Sequence, residues 1–86
     1  KLNKSEESME TKTTYIKEKK PTLKEMQDMV GGLIQVIEIK EKQIIIDEEG
    51  KLKGKPFNKE ATEIWDADYD IIVGDAIVLS DKALLD

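Results

Sequence analysis

Apolar residues are scarce over positions 1–13, and charged and hydroxylated residues fill that stretch. A segment of this kind cannot offset the entropy of ordering itself, so residues 1–13 are expected to be a flexible arm. Met9 within it is a candidate start, with the residues before it an upstream addition. Thr13-Thr14-Tyr15-Ile16-Lys17 has β-type side chains and predicts a short edge strand. After Pro21, Thr22-Leu23-Lys24-Glu25 fits a capping box, in which Thr and Glu each bond a backbone N–H of the other's turn. Leu23, Met26, Met29 and Val30 follow at helical spacing. The pattern predicts a helix over 23–30, closed by Gly31-Gly32, because glycine takes the left-handed C-terminal conformation without a Cβ clash.

Leu33 to Ile39 is apolar on both parities and β-rich, which predicts a central strand covered on both faces. Lys40-Glu41-Lys42 is a polar turn, and Gln43 to Asp47 is a second strand. The link is too short for a parallel crossover, so the two form an antiparallel hairpin. Glu48 to Lys51 turns again, and Lys51 to Pro56 is a basic connection. Asn58 is a good N-cap for a helix over 59–65, with Ala61, Ile64 and Trp65 on one side. An acidic loop follows, Asp66-Ala67-Asp68-Tyr69-Asp70. Ile71 to Leu79 reads as a strand interrupted at Gly74, and Ser80 can cap a final turn over 81–85. The expected fold is a single α+β domain over residues 14–86. It is a small antiparallel or mixed sheet of three to five strands with one or two short helices on one face.

Composition narrows the chemistry. The 86 residues contain neither Cys nor His, which removes thiol nucleophiles, disulfides, Cys/His zinc sites and imidazole acid–base catalysis. No apolar run approaches the roughly 20 residues that cross a bilayer, and the N-terminal stretch lacks the apolar core of a secretory signal. A cytoplasmic location and no membrane partner are therefore expected. A domain of this size buries only roughly 60 % of its unfolded surface. Its core is thin, so a homo-oligomer is open to it.

Charge is unevenly placed. Positions 60–86 hold one Lys against eight acids, a balance of −7, within a chain whose total is −5. All fourteen basic residues are Lys. Arginine dominates phosphate forks and guanine readout, so its absence disfavours a nucleic-acid partner. The acidic end suits either a basic partner surface or solubility.

Several motifs fail on inspection. Asp66-x-Asp68-x-Asp70 starts like a calcium loop, but the sixth and twelfth positions are Ile71 and Ile77 where Gly and Glu are required; no metal or other cofactor is expected. Asp47, Glu48 and Glu49 are explained by turn chemistry, and no phosphate-binding glycine pattern is present. No residue set supports catalysis, so the chain is not expected to be an enzyme. Asn58, Lys59 and Thr62 form a polar corner that could hold an anionic ligand at a helix start, with Lys55 or Lys59 adding charge. An ordinary Asn cap followed by a helical Thr accounts for the same residues. Phe57 and Trp65 are expected as core anchors, and Tyr69 as exposed.

Four blocks in order resemble one family. They are Leu23-Lys24-Glu25-Met26-Gln27-Asp28-Met29-Val30-Gly31-Gly32 running into Leu33 to Val36, then Ile46 to Leu52, Pro56 to Thr62, and Ile71 to Val78. They are similar to small uncharacterised domains of unknown function from phages, prophages and plasmids. The resemblance covers roughly residues 22–80, and Lys1 to Lys20 lies outside it. It implies a mobile-element origin. With the acidic end it points to a non-enzymatic module that engages a host protein through Asp66, Asp68 and Asp70, in a counter-defence setting. The alternative is a homo-oligomer that binds or sequesters a nucleotide-like small molecule at Asn58, Lys59 and Thr62.

Overall fold

A computed structural model describes residues 11–68 and 70–86. Four strands, β1 (Thr13–Ile16), β2 (Ile34–Ile39), β3 (Lys42–Asp47) and β4 (Ala76–Ser80), form one sheet in the order β1-β4-β3-β2. β1 runs parallel to β4, whereas β4–β3 and β3–β2 are antiparallel. The sheet is thus mixed, and with helices α1 (Leu23–Val30) and α2 (Lys59–Trp65) the fold is α+β, as the pattern predicts.

The capping box closes as expected. The Thr22 side chain accepts from the Glu25 N–H at 3.1 Å, and the Thr22 N–H donates to the Glu25 carboxylate at 2.9 Å. Gly31 ends the helix at φ +88°. Met26 and Val30 turn inward, while Leu23 at the first turn is exposed.

Strand alternation gives the sheet two apolar faces. On one, Ile45, Ile77 and Leu79 pack with Met26 and Val30 of α1 and with Ala83 of a single 3-10 turn (Asp81–Ala83). On the other, Ile44, Ala76 and Val78 pack with Ile37, Ile72 and Ala61 of α2, flanked by Ile64 and Trp65. The helices therefore lie on opposite faces, not one. The amphipathic pattern shows that each helix has a buried side; only the chain path decides which face receives it.

The same geometry relocates the centre of the sheet. Ile44, Ile45, Ile77 and Leu79 have at most 1 % exposure, so β3 and β4 are central. The apolar run Leu33 to Ile39, expected to be central, supplies the edge strand β2 instead. Its two parities feed different layers, Ile34 the α1 face and Ile37 and Ile39 the α2 face, while Val36 stays exposed. The hairpin loop is two residues, Lys40 and Glu41, with Glu41 at φ +65°. The Lys51 to Pro56 connection turns over Lys51 to Gly54, and Ile71 to Val73 contributes only an isolated bridge from Val73 to Phe57. Phe57, expected in the core, is 51 % exposed and packs in neither apolar cluster.

The first ten residues of the expected arm, Met9 among them, and Tyr69 lie outside the described residues. The rest of the arm is held. The Lys12 N–H donates to Asp75 at 2.9 Å, its carbonyl accepts from the Ala76 N–H at 3.0 Å, and Thr13 opens β1.

Candidate functional site

Asn58 is 1 % exposed and its side chain is fully engaged. Its Oδ1 accepts from the Ala61 N–H at 2.9 Å, capping α2, and its Nδ2 donates to the Gly74 carbonyl at 2.9 Å. The Thr13 hydroxyl lies 3.1 Å from Nδ2. Thr62 donates its hydroxyl to the Asn58 carbonyl at 2.7 Å and accepts from the Ile72 N–H at 2.8 Å. These bonds join α2, β1 and the chain entering β4, so the polar groups of Asn58 and Thr62 are turned inward. Lys59 is exposed and its ammonium lies 4.0 Å from Glu63, one turn along α2. The three residues singled out as a ligand corner are adjacent, but two of them face the interior and the third faces solvent.

A second polar centre was not marked by the residue pattern. Asp47, at the end of β3, is 3 % exposed. Its Oδ2 takes the ammonium groups of Lys53 and Lys55, each at 2.8 Å, and its Oδ1 accepts from the Glu49 N–H at 2.8 Å. The same two lysines reach the C-terminal end of α1, Lys53 to the Gly31 carbonyl at 3.1 Å and Lys55 to the Val30 carbonyl at 2.6 Å. They satisfy carbonyls that a helix end leaves unpaired and meet the negative end of its dipole. Burial alone would raise the Asp47 pKa. The two lysines and the Glu49 N–H outweigh it and hold the carboxyl well below the usual carboxylate range. Gly32 admits this clasp, since a Cβ there would lie 2.6 Å from the Lys53 ammonium. The alternation of Lys51, Lys53 and Lys55 was the available signal, and it reads only as a basic connection until Asp47 is known to be buried beneath it.

The third feature is an open groove of about 130 Å³ on the α2 face, beside β2. Ile37, Ile46, Trp65, Ile71 and Val73 line it, with Glu48 and Asp70 at its rim. Ile71 is 44 % exposed, and Leu52, at the adjoining loop tip, is 88 % exposed. Asp70 pairs with Lys51 across this end and also accepts from the Ile71 N–H. The Lys51 ammonium is the main reason its carboxyl sits below the ordinary value. Asp66 ends α2 in a left-handed conformation at φ +56°. Asp66 and Asp68 are exposed, and among the described residues neither enters an ion pair. Of the acidic loop singled out from sequence, Asp70 is thus brought into the lining of an apolar-walled groove, a juxtaposition that linear order does not display, while Asp66 and Asp68 are not among the lining residues.

A family model described as Domain of unknown function (DUF3846) matches residues 6–83. The chain belongs to this family. The match takes in the whole sheet and both helices of the DUF3846 domain. It begins upstream of the blocks that carried the resemblance, so β1 and part of the N-terminal stretch fall within it. No curated protein and no solved structure matches the chain.

Within this DUF3846 domain, Tyr15 on β1 donates its hydroxyl to Glu60 of α2. That bond to a carboxylate is the main cause of a raised Tyr15 pKa. It ties the edge strand β1 to the first turn of α2. No helix among the described residues is long and apolar enough to cross a membrane.

Proposed function

We propose that this domain is a non-enzymatic binding module of mobile-element type that engages a host protein, in a counter-defence setting, through the end of the molecule where α2 meets the acidic loop. The observation that carries the reading is the groove lined by Trp65 and Ile71 with Glu48 and Asp70, at the end of α2 where Trp65 runs directly into the loop that bears the exposed carboxylates of Asp66 and Asp68. Apolar surface rimmed by like charge suits a partner that brings apolar anchors and a basic rim. The hydrogen bonds of Asn58 and Thr62 are internal, so the alternative of nucleotide sequestration draws no support from that corner.

The test is capture of host proteins on the immobilised domain, followed by titration of each purified candidate against wild type and an Asp66→Lys/Asp68→Lys variant. These two positions avoid the Lys51–Asp70 pair, so stability is expected to hold, and a thermal melt checks it. Reversal of the two charges is expected to weaken binding about tenfold at low salt, with a smaller gap at high salt. Equal affinity for both proteins at all salt concentrations overturns the reading.

A further inference from the structure

The groove adjoins the one long free edge of the sheet described here. β2 is bonded to β3 on one side, and among the described residues no strand pairs with its other side. The hairpin register decides which backbone groups point outward. With a two-residue loop, the flanking pair Ile39–Lys42 exchanges both backbone bonds, as do Ile37–Ile44 and Gln35–Ile46. The bond from the Glu48 N–H to the Leu33 carbonyl, 2.8 Å, continues the same parity. The N–H and C=O groups of Ile34, Val36 and Glu38 therefore face the open edge. Native sheets blunt such edges with proline, inward-pointing charges or bulges. Here β2 is regularly paired over its six residues with no proline or bulge, its one charged residue is Glu38 near the hairpin, and Val36 on it is 38 % exposed.

We infer that a segment of the partner protein adds to the sheet as a fifth strand along β2, with alternate apolar side chains entering the groove beside Ile37 and Trp65 and with basic residues meeting Glu48, Asp66 and Asp68. The occupant's chemistry follows from three features of this edge. Three outward N–H/C=O pairs at every second residue fit an extended backbone. Residues opposite Gln35 and Ile37 point to the α2 face, where the groove offers apolar walls; residues opposite Val36 point to the other face and meet only its exposed side chain. The charged groups lining the groove are Asp47, held by Lys53 and Lys55, Asp70, paired to Lys51, and the exposed Glu48, which among the described residues enters no ion pair and is left to meet a basic side chain. The inference rests on the proposed binding function and specifies how the same end of the molecule would hold its partner.

The probe is a displayed library of peptides patterned basic–apolar–x–apolar–x–apolar–basic, selected on the full chain beside a library of equal composition with the alternation scrambled. Binders are expected from the alternating library only. On the wild-type protein, the amides of Ile34, Val36 and Glu38 should exchange rapidly when free and slow at least tenfold when a selected peptide is bound. Those of Gln35, Ile37 and Ile39 should be slow in both states. Val36→Pro removes one outward N–H and no ladder bond. It should weaken the selected peptides at least tenfold with the sheet intact; should it unfold the domain, the exchange measurement alone decides.

Binders that leave the three amides unprotected and ignore Val36→Pro, yet fall on charge reversal at Asp66 and Asp68, would overturn strand addition while leaving the proposed function standing. Protection of these amides in the free protein that grows with its concentration would place a second copy on the edge and also overturn it. Absence of binders from the alternating library overturns it as well, and capture of host proteins then decides the broader reading separately.

Discussion

Replacing Asp47 with Asn tests the clasp between β3, the following loop and α1. The substitution keeps the volume and an oxygen for the Glu49 N–H, but it removes the charge that takes Lys53 and Lys55 at 2.8 Å each. Hydrogen bonds to charged groups contribute about 1.5–3 kcal/mol each, and breaking a buried pair from one side costs about 3–5 kcal/mol. Lys53 retains access to water, its side chain being 39 % exposed, so the lower end applies, about 3 kcal/mol. A domain of this length has a total stability of about 4–13 kcal/mol. With a urea m-value of about 1 kcal/mol/M, the midpoint should fall by about 3 M with m unchanged. The pH dependence follows from the sign of the shift. A carboxyl whose folded pKa is depressed contributes stability that is fully present above the unfolded value near 3.9 and is lost as pH falls toward the folded value. The gap between wild type and Asp47→Asn should therefore be constant from about pH 7 to 5 and should shrink below about pH 4. Equilibrium urea unfolding across this range measures it. A loss under about 1 kcal/mol at pH 7, or a gap that persists unchanged at pH 2, refutes the reasoning.

Substitutions at three further positions test the local geometry. Asn58→Ala removes the α2 cap and leaves the Gly74 carbonyl and the Ala61 N–H without their partner, so denaturant melts should show a loss of about 2–3 kcal/mol; Asn58→Ser, which keeps a cap, should recover about 1 kcal/mol of it. Glu41→Gly relieves a left-handed residue at φ +65° and should raise stability by about 0.5–1 kcal/mol, seen as a higher urea midpoint, once the larger unfolded-state entropy of glycine is allowed for. Gly74→Ala places a Cβ 2.7 Å from Lys55 Cδ at φ +81°. It should cost about 2 kcal/mol and, by displacing Lys55, reduce the further loss caused by Asp47→Asn in a double-mutant cycle.

Local signals in the sequence were reliable wherever a short stretch carries its own physics. Thr22 and Glu25 satisfy the first N–H groups of α1 with their own side chains, and Gly31 closes the helix, all within ten residues. Asn58 capped α2 in the same way. The two-strand hairpin followed from the shortness of its loop. The Lys51–Pro56 segment was legible as a connection, but its role was not. Two lysines two residues apart look like a solvated run until Asp47 is buried between them. Phe57 reads as a core residue by type, yet it is half exposed and joins neither apolar cluster, which depends on where the chain between the sheet and α2 is placed. Of the candidate site residues, Asp66, Asp68 and Asp70 are on the surface. Asn58 and Thr62 are absorbed by contacts with Thr13, Ile72 and Gly74, residues 10 to 45 positions away.

Composition and short-range pattern by themselves determined the two helices, the β2–β3 hairpin, the acidic C-terminal end and the absence of thiol and imidazole chemistry, because each depends on neighbours within a few residues. Tertiary structure alone decided that the helices take opposite faces, that β3 and β4 rather than β2 form the centre, and that β2 is left with an open edge beside an apolar groove. Burial and pairing at those places are set by which distant segment arrives next to them. The parallel docking of β1 on β4, from more than sixty residues away, covers one edge of the sheet and leaves β2 as the other.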